Sequence, residues 1–151
     1  MLEIVKYPDE RLRMKAEDCK DFTVLESLVK EMFETMFKSG GIGLAAPQVG
    51  YNLNLFIINH GEGLTFINAK ILPSRNARII QSDEGCLSLP GVRVTVPRFD
   101  KFTFEAVDLT GKIKKYQYCG MMGIIAQHET DHLIGKLIID YQDEKTRLEK
   151  T

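Results

Sequence analysis

Three short segments carry residues whose types and spacing could do chemistry. In QHETDHLIG, residues 127–135, His128 and His132 stand four apart. On a helix that spacing projects two imidazoles from one face, a turn apart, where they can bind one metal ion. Glu129 beside them can then handle the proton of a bound water. The competing reading is a helix whose histidines are satisfied and whose charges meet solvent. Gly123, Ile124, Ile125 and Ala126 just before the segment argue for burial, and unpaired histidine and glutamate are costly inside a protein. A catalytic zinc-type site uses three protein ligands and keeps one position open, so a third ligand must come from elsewhere. Cys86 is the best candidate. It sits in EGCLS, residues 84–88, between a predicted strand and Pro90, where a loop presents its thiolate and the Leu87 backbone N–H in one direction. A lone cysteine is otherwise a small buried hydrophobe. Cys19 and Cys119 lack such surroundings, and His60, in NHGEG, reads as a solvated turn residue. The third segment is GIGLAAPQVG, residues 41–50. Its small residues let a backbone approach a ligand closely, and the Gln48 amide can stabilise an oxyanion without competing for a metal. A phosphate loop is a poor reading because the Walker Lys and Ser or Thr are missing. A tight helix-to-strand connection is the structural alternative.

The elements that must position these segments follow from periodicity. Leu25, Leu28, Val29, Met32, Phe33, Met36 and Phe37 recur at helical spacing and predict an amphipathic helix from Thr23 to Lys38. Thr23 and Glu26 form its expected capping box, and Gly40 and Gly41 its expected end. Short strands are predicted at Leu53–Asn59, Leu64–Asn68, Arg78–Gln81, Val92–Val96, Lys101–Val107 and Ile113–Cys119. Val92, Val94 and Val96 alternate with Arg93 and Thr95, as half-buried antiparallel strands do. Asp108 to Lys112 reads as a hairpin loop. A second helix runs from Gly120 until Gly135 stops it. The expected fold is α+β: antiparallel strands packed around a central buried helix carrying His-Glu-x-x-His, with one N-terminal amphipathic helix.

Composition narrows the function classes. The chain has 151 residues, 44% of them hydrophobic, which supplies one core and suggests a single catalytic domain over 1–151. A formal charge of −1 gives no sequence-wide attraction to nucleic acid or an anionic membrane. No apolar run approaches the ~20 residues that span a bilayer. Three widely spaced cysteines fit a reducing compartment better than a disulfide framework, so the expected location is cytoplasmic.

Taken together, GIGLAAPQ, EGCLS and QHETDH occur in the order of the three signature motifs of peptide deformylase, and the sequence resembles that family. The similarity extends from the YPDERLR start through PGVRVTVPR. The resemblance implies a hydrolase that removes the N-formyl group from the N-terminal methionine of new polypeptides and releases formate. It implies Cys86, His128 and His132 as ligands of one Fe2+, with Zn2+, Ni2+ or Co2+ as substitutes, and Glu129 as general base and acid. Gln48 and the Leu87 N–H are the implied oxyanion donors. A methionine pocket is implied from Ile42, Gly43, Ile124, Ile125 and His128, with Gly85 also against the substrate and Arg93 reaching the peptide backbone. Glu84 and Arg98 resemble the family's loop-fixing ion pair. The expected partner is an N-formylmethionyl nascent peptide in a bacterium or a phage-infected host cell, an organellar origin also being open. After Tyr141 only the charged segment QDEKTRLEKT remains, which makes ribosome docking through a long C-terminal helix doubtful. Two other readings stay open from the residues: a zinc endopeptidase, suggested by His-Glu-x-x-His alone, and a non-catalytic relative that binds N-terminal peptides.

Overall fold

The computed structural model describes residues 1–142. The tail QDEKTRLEKT therefore lies outside the described residues from position 143, and with it the expectation about ribosome docking. Five strands form one antiparallel sheet in the order β1 (Gly43–Ala45), β2 (Leu55–Asn59), β3 (Gly63–Leu72), β6 (Lys101–Val107) and β7 (Ile113–Cys119). A separate antiparallel pair joins β4 (Ile79–Cys86) to β5 (Leu89–Phe99). Helix α1 (Leu25–Lys38) precedes the strands and α2 (Gly120–His132) follows them.

The larger sheet has a helix on each side. Leu25, Leu28, Val29, Met32 and Met36 of α1 share a core with Leu44, Leu55, Ile57 and Ile67. On the opposite face Ala45, Phe56, Ile58, Phe66, Phe104 and Ala106 share a second core with Ile125 and Ala126 of α2. This is why β2 reads Leu-Phe-Ile-Ile with no polar alternation: both of its faces are covered. The alternation expected for Val92–Val96 holds, with Val94 and Val96 buried and Arg93 and Thr95 exposed, and it continues to bury Arg98. Two glycines let elements touch. A Cβ on Gly123 would meet the Tyr118 carbonyl oxygen at 2.9 Å, which sets how closely α2 approaches β7. Gly135 follows α2 at φ +75° with the Arg13 carbonyl against it, so no side chain fits there.

Several expectations are corrected. The first helix starts at Leu25, with Val24 as N-cap and no side-chain cap. Thr23 instead turns back, its hydroxyl and N–H donating to Asp21 Oδ1, so the capping box with Glu26 does not form. Phe37 is 59% exposed, while Thr35 is buried and its hydroxyl accepts the Leu2 N–H. Strands β4 and β5 extend well beyond Arg78–Gln81 and Val92–Val96, because cross-strand pairing carries polar positions the alternation rule omits. Cys86 is thus the last residue of a strand rather than part of a loop, just after a register shift between Glu84 and Cys86. GIGLAAPQVG, to which the periodicity assigns no element, holds β1 and a 3-10 turn over Ala46–Val49. A strand of three residues is too short for periodicity to find.

Phe66 is fully buried, with its ring centroid 4.7 Å from Phe56, 5.4 Å from Phe104 and 5.0 Å from Tyr116. Phe66→Ala is expected to destabilise the fold by about 3–5 kcal/mol in urea unfolding. A loss below about 1 kcal/mol would mean this aromatic cluster collapses around the cavity.

Candidate metal centre

Helix α2 presents His128 and His132 one turn apart, with ring centroids separated by 5.2 Å. The end of β4 brings Cys86 Sγ to 3.5 Å from His132 Nε2. One donor atom from each of the three side chains lies within 4.8 Å of the others. Ligand bonds of roughly 2.3 Å to sulfur and 2.1 Å to nitrogen span about 3.5 Å at a tetrahedral angle, so the trio fits one ion. Burial drives the His132 pKa well below its ordinary value, which favours the neutral imidazole that can ligate. Burial also opposes protonation of His128, but the hydrogen bonds it donates to Cys86 and Glu84 hold its pKa up at about 10. A bound cation must displace that proton.

A second layer fixes the first. The carboxylate of Glu84 approaches His128 Nδ1 at 2.9 Å and thereby aims the other ring nitrogen at the site. Arg98 donates to Glu84 twice, Nε to Oε2 at 2.8 Å and Nη2 to Oε1 at 2.7 Å. Its remaining arm, Nη1, donates to Asp131 Oδ2 at 2.7 Å. Burial of Glu84 would raise its pKa, but Arg98 and His128 overcome that and hold it at about 2. The resemblance implied the Glu84–Arg98 pair; the link onward to His128 and Asp131 had no signal in the sequence, because charges this common in strands and helices do not announce their partners.

Glu129 is 4% exposed, and burial pushes its carboxyl up to about 7. Its Oε1 is a buried oxygen with no hydrogen-bond partner among the described residues. A carboxyl titrating near neutrality can both accept and donate a proton. A Cβ at position 43 would lie 2.6 Å from Glu129 Oε2, so Gly43 leaves room for that carboxylate. Gln48 sits in the 3-10 turn with its Oε1 accepting the Ala45 N–H at 2.9 Å. That contact points Nε2 toward Cys86 Sγ, 3.6 Å away, and toward Ser88 Oγ at 3.2 Å. Ser88 is fully buried and went unnoticed in the sequence, where a serine after EGCL is not distinctive.

These groups open into a cleft of about 720 Å³. Ile42, Gly43, Gln48, Gly85, Cys86, Leu87, Arg93, Ile124, Ile125, His128 and Glu129 all line it, whereas His132 lies behind, 2% exposed. The sequence reading missed Met121 and Asp83, which also line the cleft. Arg93 stands at the mouth, where its guanidinium meets the Asp83 carboxylate at 3.2 Å with both side chains mostly exposed. A Cβ on Gly85 would touch that guanidinium at 3.1 Å.

Comparison with known proteins is consistent with this geometry. A family model described as polypeptide deformylase matches residues 1–148. A curated peptide deformylase of Dictyoglomus turgidum is 40% identical over 98% of this chain and 97% of its own. The crystal structure of a peptide deformylase from Synechococcus elongatus in complex with actinonin superposes with a TM-score of 0.89 at 34% identity, covering 93% of this chain and 79% of that one. A probable peptide deformylase from Synechococcus phage S-SSM7 gives a TM-score of 0.89 at 34% identity, covering 93% and 99%.

Arg98 is 3% exposed and neutralises two carboxylates. Arg98→Met is expected to lower stability by about 3–5 kcal/mol, because Glu84 and Asp131 lose their common cation. Arg98→Lys should restore little of it, since an ammonium cannot make the paired contact. Urea unfolding of the three proteins checks both; an unchanged midpoint for Arg98→Met would show that the pair contributes nothing net.

Proposed function

The chain belongs to the peptide deformylase family and carries out metal-dependent removal of the N-formyl group from nascent polypeptides, and on that premise we propose how its residues divide the work within one catalytic domain. The zinc endopeptidase and non-catalytic readings give way to that family membership. The observation that carries the assignment is that the Cys86, His128 and His132 donors converge beside a cleft lined by Cys86, His128, Glu129 and Gln48.

Cys86, His128 and His132 hold the ion. A bound divalent ion supplies Lewis acidity toward the formyl oxygen and lowers the pKa of water. Glu129 takes the proton from the attacking water and later delivers it to the leaving amine. The Gln48 amide and the Leu87 N–H donate to the oxygen that gains negative charge as water adds to the formyl carbon. Ala45 and Ser88 support this role for Gln48, because they fix which end of the amide faces Cys86. Ile42, Gly43, Gly85, Ile124 and Ile125 wall the space for an unbranched thioether side chain, and Arg93 holds the peptide backbone at the mouth. Gly43 and the carboxylate beside it leave little room for an acyl group larger than formyl.

The metal we assign is Fe2+, with Ni2+ and Co2+ as working substitutes. A Cys and two His suit zinc equally on ligand softness. Iron next to the Cys86 thiolate adds a route to oxidation that zinc lacks. We place the reaction in the cytoplasm, where nascent chains are made. Among the described residues no helix is long and apolar enough to cross a membrane.

Glu129→Gln is expected to keep metal content while formate release from a formyl-methionyl peptide falls by about 10² to 10⁴. Near-normal turnover would move the proton-handling role to another group. Protein prepared without oxygen should contain iron and lose activity in air, and nickel loading should give a durable enzyme. Metal analysis paired with formate release checks this, and a fully active, air-stable zinc form would overturn the iron assignment.

A further inference from the structure

We propose that Tyr141 is a positioning residue for the metal centre: through Asp131 and Arg98 its hydroxyl keeps Glu84 aligned on His128, and so sets how firmly the chain retains its metal. This rests on the assignment of Cys86, His128 and His132 as ligands.

The contacts form an unbroken series. Tyr141 donates its hydroxyl proton to Asp131 Oδ2 at 2.7 Å, the same oxygen that accepts Arg98 Nη1 at 2.7 Å. Arg98 Nη1 also reaches the Tyr141 oxygen at 3.4 Å, and the guanidinium carbon lies 5.2 Å from the tyrosine ring centroid. On its other side Arg98 grips Glu84 through two nitrogens, and Glu84 Oε1 contacts His128 Nδ1. Side-chain exposure is 3% for Arg98, 6% for Glu84 and 18% for Asp131.

Charge explains why the hydroxyl matters. One guanidinium serves two carboxylates, so Asp131 and Glu84 compete for it. The tyrosine proton satisfies part of Asp131 and reduces its claim on Arg98. Without that proton, Asp131 has a stronger pull on the guanidinium, the paired grip on Glu84 slackens, and the orientation of the His128 ring is less well defined. Tyr141 is itself held in place: Ile138, 3% exposed, packs with Val94 and Val96 under β5, and Lys136 Nζ lies 4.2 Å from the tyrosine ring centroid. The chain after α2 is therefore tied to the metal ligands from behind, on the side away from the cleft.

The test is Tyr141→Phe, which keeps the ring and its packing and deletes only the hydroxyl. Ni2+-loaded protein is competed against a chelator, the Co2+ form is compared by visible absorption, and the metal-free protein is unfolded in urea. The metal dissociation constant is expected to rise about tenfold, the lower end of the 10–100-fold seen for groups that orient ligands. The Co2+ ligand-field bands should shift, whereas the urea midpoint of the metal-free protein should move little. Asp131→Asn removes the competing charge, so it should not reproduce the metal loss, and in that background Tyr141→Phe should cost little further metal affinity. An unchanged dissociation constant for Tyr141→Phe, or a loss in the double variant as large as in Tyr141→Phe alone, overturns the proposal. Cys86→Ala separates the two layers of argument: if it retains metal, the ligand assignment fails, and if it loses metal while Tyr141→Phe does not, only the role of Tyr141 fails.

Discussion

An imidazole ligates through one ring nitrogen, and the other nitrogen decides where the ring points. In this chain that decision falls to the 2.9 Å contact between Glu84 and His128 Nδ1. A buried carboxylate cannot stand alone beside a cation site without a counter-charge of its own, so Arg98 must be buried with it, and Asp131 must balance what Glu84 leaves. The architecture provides all of these at once. Strand β4 supplies Glu84 and Cys86, β5 supplies Arg98 from the other arm of the hairpin, where it pairs with Ile80, and α2 supplies His128, Asp131 and His132. The hairpin is the polar half of the centre and the helix is the half embedded in the core.

The larger sheet covers α2 with one face while α1 closes the sheet's other face, and seven of the thirteen α2 residues are buried. That burial has a chemical effect beyond stability. It withdraws water from Glu129 and raises its pKa to about 7, and it keeps His132 neutral. The same packing that stabilises the fold thus shifts the protonation of both side chains. Gly43 lies where the sheet meets this chemistry, since a side chain there would press on Ile125 and on the Glu129 carboxylate together.

Much of the fold was legible because it is periodic. The stripe from Leu25 to Met36, the alternation in Val92–Val96 and the bounds of Lys101–Val107 and Ile113–Cys119 all follow from apolar spacing. The elements that escaped were short or polar: β1 with three residues, the 3-10 turn under Gln48, and the ends of β4 and β5. The ligand candidates stood out because cysteine and paired histidines are scarce in this chain. Their supports did not, because Ser88, Asp131 and Tyr141 belong to abundant types whose roles depend on which neighbours the fold brings to them.

Cys86 and His132 are 46 residues apart in sequence yet 3.5 Å apart in space, one at the end of a strand of the β4–β5 hairpin and the other at the end of helix α2. An ion held between them would tie the hairpin to the helix and favour the folded chain, because the unfolded chain has no such site, while remaining exchangeable. Its ligands come together only after the hairpin has docked against the helix, a contact between distant segments of the kind that forms slowly. Metal capture is therefore a report on completed assembly: a chain whose hairpin has not yet closed has neither the trap for the ion nor the tie that the ion makes.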